Sequence, residues 1–130
     1  MHKTILCIAA FYGGLAVVLG AFGAHALKAR LDADALAAWH TAVQYQFTHA
    51  LAMLLLGLLM FHIPSRALNV SGVSMAVGTA LFSGSIYLLA SRSLLPFGPM
   101  RFLGPVTPLG GLTLIVGWAA LLTALLRAKL

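Results

Sequence analysis

The sequence predicts an all-α integral membrane protein, a four-helix bundle with a polar cluster in one leaflet. Three observations carry that prediction. The chain is 62% hydrophobic and only 8% charged, with a mean hydropathy of +1.02. A soluble 130-residue domain must turn part of its surface to water and has no use for so much apolar area. Charges and prolines also divide the apolar residues into four runs of about 19 to 24 residues. At 1.5 Å per residue each is long enough for a hydrocarbon core about 30 Å thick. Finally, the polar side chains that do enter these runs gather near one end of them.

The first span covers about residues 4–27. Its "AHA" at Ala24 to Ala26 looks like a signal-peptidase site, but the apolar stretch Ile5 to Phe22 is longer than a signal core, so a retained helix is expected. The second span covers about 43–61, on a helix starting near Asp34, with Asp32 or Asp34 able to cap it. Pro64 marks a tight turn, and the third span covers about 70–90. The connection from Ser91 to Thr107 holds Pro96, Pro99 and Pro105 and cannot be one continuous helix. The fourth span covers about 108–126, with Thr107 at the cap and Pro108 at the first helical position. These spans form a single domain over residues 1–130.

Helices in lipid associate by close approach of small residues, because lipid tails are as apolar as leucine. Span one offers Gly13, Ala16, Gly20 and Ala24, and span three offers Gly72, Ala76, Ala80 and Gly84. Span four offers Gly110, Thr113, Gly117 and Ala120. A compact bundle accounts for all three seams. Four short helices would satisfy them only in part, so a homo-oligomer using the seam of helix one or three is also expected.

With four spans, one membrane side receives the end of span one, the start of two, the end of three and the start of four. There lie His25, Lys28, Arg30, the polar run 40–49, Tyr87, Ser91, Arg92, Arg101 and Thr107. In "WHTAVQYQFTHALAMLLL", residues 39–56, His40, Thr41, Gln44, Tyr45, Thr48 and His49 cover about half the helix circumference, leaving Trp39, Val43 and Phe47 for lipid or interface contact. The stripe is expected to face inward. His49, about 9 Å inside the boundary, needs a partner, and Tyr45 or His25 across the bundle can supply one. For His40 and Gln44 an ordinary interfacial segment is the plainer explanation.

Several classes of chemistry are disfavoured. Neither Asp nor Glu occurs within a span, which argues against proton coupling through a buried carboxylate. Lone Cys7 allows no intrachain disulfide and no cysteine metal cluster, and no metal or cofactor is expected. Eight Lys and Arg against two acids give +6, which in a soluble chain would suggest nucleic acid. Here the basic residues stand singly at span ends, where anionic lipid headgroups are the expected partner and nucleic acid is not. They divide four and four between the two sides, so the positive-inside rule selects no orientation.

The blocks "GAFGAHALK" (20–28), "TAVQYQFTHALA" (41–52), "FSGSIYLLA" (82–90), "LGPVTPLGG" (103–111) and "GW" (117–118) resemble the small, uncharacterised bacterial inner-membrane family typified by YgdD. The match runs in order over nearly the whole chain. It implies a four-helix integral membrane protein and brings no reaction, substrate or cofactor. Its motifs map onto His25, Tyr45, Gln46, His49, Ser83, Ser85, Pro105, Thr107 and Pro108, with His40 outside the pattern.

The expected function is therefore that of a non-enzymatic, lipid- or partner-binding protein of the bacterial inner membrane. A small transporter or channel component is the alternative. A redox protein binding haem between His25 and His49, or quinone beside His49 and Tyr45, is a second one. The expected polar cluster is His25, Tyr45, Gln46, His49 and Thr107. At the start of span four, backbone N–H groups without intrahelical acceptors favour an anionic headgroup near Pro108 to Gly111, held mainly by Arg101 with Arg92, Lys28 and Arg30.

Overall fold

A computed structural model of the chain describes residues 1–98 and 100–129; Pro99, named above as a breaker, lies outside the described residues. Four long helices run in order: α1 (His2–His25), α2 (Ala33–Leu59), α3 (Arg66–Ala90) and α4 (Val106–Arg127). Each is long and apolar enough to cross a membrane, and no strand occurs among the described residues. The residue 91–105 connection breaks into two short 3-10 turns, Arg92–Leu94 and Arg101–Leu103. Two helix starts are set by short side-chain oxygens. Asp32 accepts from Ala35 N–H at 2.8 Å ahead of α2, and Ser65 accepts from Ala67 N–H at 3.2 Å ahead of α3.

The start of α4 differs from the sequence expectation. Its cap is Pro105, which makes no side-chain capping bond, and Thr107 lies inside the first turn with its hydroxyl turned to α3. A hydroxyl caps only from outside the helix, so Val106 entering the helix withdraws Thr107 from that role.

Helix α1 lies along α2, α2 along α3, and α3 along α4. The outer pair is correspondingly less covered, with 17% of the α1 span and 22% of the α4 span buried against 39% for each inner helix. The α1–α2 register is antiparallel. A Cβ on Gly13 would stand 3.8 Å from Ala50, one on Gly20 would stand 3.3 Å from Val43, and Gly57 lies under Leu6. Gly13 is at the middle of α1, so a bilayer centred on α1 has its midplane level with Ala50 on α2.

Not every seam follows four-residue spacing. On α1 the buried positions are Ile5, Ala9, Ala16 and Gly23, with half-buried Tyr12 and Leu19 between them. This alternation of four and three is the 3.5-residue repeat of helices packed at a shallow angle. A strict four-residue stripe drifts off such a seam, and Ala24 is consequently exposed. On α3, Gly72 and Ala76 are buried as expected, but Ala80 is exposed and Gly78 packs against Leu114 in its place. On α4, Gly110 and Gly117 of the expected seam are buried and Thr113 and Ala120 are half-buried, while buried Ala124 extends the line beyond it.

Candidate functional site

Three hydrogen-bonded links hold the helices together around the expected polar cluster. The first centres on Gln46, which is only 3% exposed. Its Nε2 donates to the Tyr12 carbonyl at 2.9 Å, and its Oε1 accepts from the Tyr87 hydroxyl at 2.7 Å. One carboxamide thereby ties α2 to α1 and α3. Tyr12 carries the link on, its hydroxyl donating to the Ala76 carbonyl at 2.9 Å, and Ser83 donates to the Ala42 carbonyl at 2.8 Å.

The second link fixes His49, 5% exposed and one residue from the midplane level of Ala50. Its Nδ1 stands 2.8 Å from the Tyr45 carbonyl, and its Nε2 stands 3.1 Å from the Trp118 indole nitrogen. A carbonyl only accepts and an indole N–H only donates, so the ring carries its proton on Nδ1 and offers a lone pair at Nε2. Trp118 therefore occupies the nitrogen an axial haem ligand would need. Trp118→Phe keeps an aromatic side chain, though a smaller one, and removes the donor. It should cost about 0.6 kcal/mol, and not more than about 1.7, in reversible detergent unfolding, the range found for interhelical bonds in membranes.

The third link joins Ser85 and Thr107 at 2.6 Å. Because the Ser85 hydroxyl also donates to the Phe82 carbonyl at 3.0 Å, Thr107 is the donor in the pair.

Of the predicted cluster, Gln46, His49 and Thr107 are thus engaged, each in a separate link. His25 is not. It is exposed at the end of α1, and the α1–α2 register puts it about 16 Å along the axis from His49, so the two do not form a haem pair. Tyr45 contributes its carbonyl, while its ring, 43% exposed, stacks on His49 and tilts against Phe82.

The direction of the α2 stripe is also corrected. His40, Thr41, Gln44 and Thr48 are exposed, while Trp39, Ala42, Gln46, His49, Ala50 and Met53 are buried. Trp39, expected to face lipid or the interface, instead donates from Nε1 to the Leu19 carbonyl at 2.9 Å and packs against Tyr87 with the rings tilted by 56° and their centroids 4.7 Å apart. Gly23 makes this possible, since a Cβ there would come within 2.5 Å of the indole.

Sequence reasoning missed Tyr12 entirely and placed Tyr87 only on that membrane side. A signal was present. Ser71, Met75, Thr79, Ser83 and Tyr87 recur every four residues, and on α3 this row is buried save for half-buried Tyr87. Ser83 and Tyr87 bond to α2, whereas the buried Ser71 and Thr79 hydroxyls make no hydrogen bond among the described residues.

The basic residues separate into two places. Arg92 and Arg101 line one cavity of about 440 Å³ with Leu89, Met100 and Gly104. Arg92 also borders a cavity of about 450 Å³ with Asp32, Asp34 and Thr107. Arg30 lines a more apolar cavity of about 540 Å³ with Phe22, Leu27, Trp39, Ser91 and Leu95. Lys28 is exposed and borders none of these three.

Fold and site define a multi-pass membrane protein whose helices are joined by buried polar links. A family model described as "Protein of unknown function (DUF423)" matches residues 19–111, and the chain belongs to this family. It is 40% identical over 127 residues to the UPF0382 inner membrane protein YgdD of Escherichia coli, covering 98% of this chain and 92% of that one. It is 35% identical to the UPF0382 membrane protein YwdK of Bacillus subtilis, over 96% of this chain and 98% of that one. A UPF0382 membrane protein of Schizosaccharomyces pombe is 43% identical over 92% of this chain and 98% of its own, so relatives extend beyond bacteria. No solved structure matches the chain.

Proposed function

We propose that the protein is a non-enzymatic, lipid-binding membrane protein that holds an anionic headgroup between Arg92 and Arg101. The observation that carries this reading is the cavity of about 440 Å³ that both arginines line, at the end of α3 and ahead of α4. A guanidinium presents a planar fork of donors matched to phosphate oxygens, and two facing one space make a stronger site than either alone. Leu89 and Met100 supply apolar lining beside that charge, as the junction of headgroup and acyl chain requires. Asp32 and Asp34 line the neighbouring cavity with Arg92, and negative charge on that side weakens its pull on an anion, which leaves Arg101 the larger share.

Each basic residue near an anionic surface contributes about 1 kcal/mol, so losing both should weaken retention roughly thirtyfold. The test is native mass spectrometry of the Arg92→Gln/Arg101→Gln double variant purified from mixed lipid. Recovery of phosphatidylglycerol or cardiolipin should fall relative to phosphatidylethanolamine. Recovery equal to that of the unmodified protein rejects the site.

A further inference from the structure

The α2 stripe that faces away from the bundle calls for a partner. His40, Gln44 and Thr48 follow one another every four residues on the side opposite buried Ala42, Gln46, His49 and Met53. Taking Ala50 as the midplane, Gln44 lies about 6 Å inside the hydrocarbon and Thr48 about 3 Å from its centre. A lipid-facing threonine is able to return its proton to the carbonyl one turn earlier, as Thr41, Thr113 and Thr123 do. A carboxamide has no such exit, because its own helix cannot satisfy both N–H bonds and the carbonyl oxygen. Within the chain Gln46 meets this demand through Tyr12 and Tyr87, whereas Gln44 makes no side-chain hydrogen bond among the described residues.

We infer that this face of α2 is a contact surface for a second copy of the chain, joined through the two Gln44 side chains. A carboxamide is both donor and acceptor, so two of them related by a two-fold axis exchange a reciprocal pair of N–H···O bonds, which is the self-complementarity an isologous interface requires. Shape agrees with chemistry. Beside the stripe a groove of about 410 Å³ runs between α1 and α2, lined by Ala16, Val17, Gly20, Ala21 and Val43, and Phe47 stands at its edge with 41% of its surface exposed. The Phe47 ring of one copy fills the groove of the other, and the small residues of α1 allow the close approach that helix association in lipid depends on. Self-association is thereby assigned to this face of α2 with the adjoining Ala16 and Gly20 of the α1 seam, and not to α3.

Site-directed crosslinking in vesicles tests the assignment. In a Cys7→Ser background, Thr48→Cys should link into a covalent dimer under mild oxidation, while Ile115→Cys, exposed on α4, should not. Energy transfer between labelled copies at high lipid dilution should show a dimer fraction that Gln44→Leu lowers about tenfold and Gln44→Asn largely retains. Leucine at an exposed site in lipid leaves the fold intact, so loss of the dimer would not reflect unfolding. Single-copy photobleaching at every dilution, as when Gln44 reaches the headgroups, overturns the inference. So does equal linking by Thr48→Cys and Ile115→Cys, or Gln44→Leu with an unchanged dimer fraction.

Discussion

Gly110→Ala should be the most damaging methyl group that can be added to this chain. An ideal Cβ at Gly110 would lie 2.4 Å from the Phe82 backbone nitrogen and 2.8 Å from its Cα. The obstacle is main chain within α3, so no rotamer change relieves it and the two helices must separate. Overpacking costs about 1–3 kcal/mol in general, and a backbone obstacle belongs at the upper end, near 3 kcal/mol. Reversible unfolding in mixed detergent would measure it. Gly84→Ala is the matched control, because a Cβ there meets nothing within 4 Å. A Gly110 variant as stable as the Gly84 one would mean that α3 and α4 are not in backbone contact.

Gln46→Leu should lower stability by about 2 kcal/mol. Leucine is close to glutamine in size, so the loss is chiefly polar: the bond to the Tyr12 carbonyl, the bond from Tyr87, and the cost of leaving a phenol hydroxyl in hydrocarbon. Tyr87→Phe removes one bond and should cost less. The double variant should be more stable than the sum of the two losses implies, because replacing both partners leaves nothing unsatisfied. Strictly additive losses in that cycle would show that the Gln46–Tyr87 bond does not contribute.

How legible this was differs from residue to residue. The spans were plain because a bilayer imposes a length that few other environments demand, and Asp32 was readable as a cap from its place before an apolar run. The direction of the α2 stripe was not. Periodicity shows that His40, Gln44 and Thr48 share a face, but in lipid both sides of a helix are apolar, so the pattern does not say which side is inner. Trp39 was assigned to the interface because tryptophan favours that depth. Its burial depends on Gly23 of α1, a vacancy visible only when both helices are placed. His49 was found by its depth, while its true partner, Trp118, lies 69 positions away and shares no local pattern with it.

The antiparallel neighbours α1–α2 and α3–α4 make two hairpins, and the bonds between α2 and the second hairpin all run in one direction. Ser83, Tyr87 and Trp118 each donate, and the Ala42 carbonyl, Gln46 Oε1 and His49 Nε2 each accept. During synthesis the N-terminal hairpin reaches the bilayer first. It arrives with its Trp39 and Gln46 donors already satisfied by α1 carbonyls. What α2 presents to the translocating remainder of the chain is a row of lone pairs, and the one donor the hairpin still holds for it among the described residues is the Tyr12 hydroxyl of α1, which meets the Ala76 carbonyl. The second hairpin brings the protons that α2 lacks, so along α2 insertion order and hydrogen-bond polarity coincide, and the bundle closes there by docking donors onto a template laid down earlier.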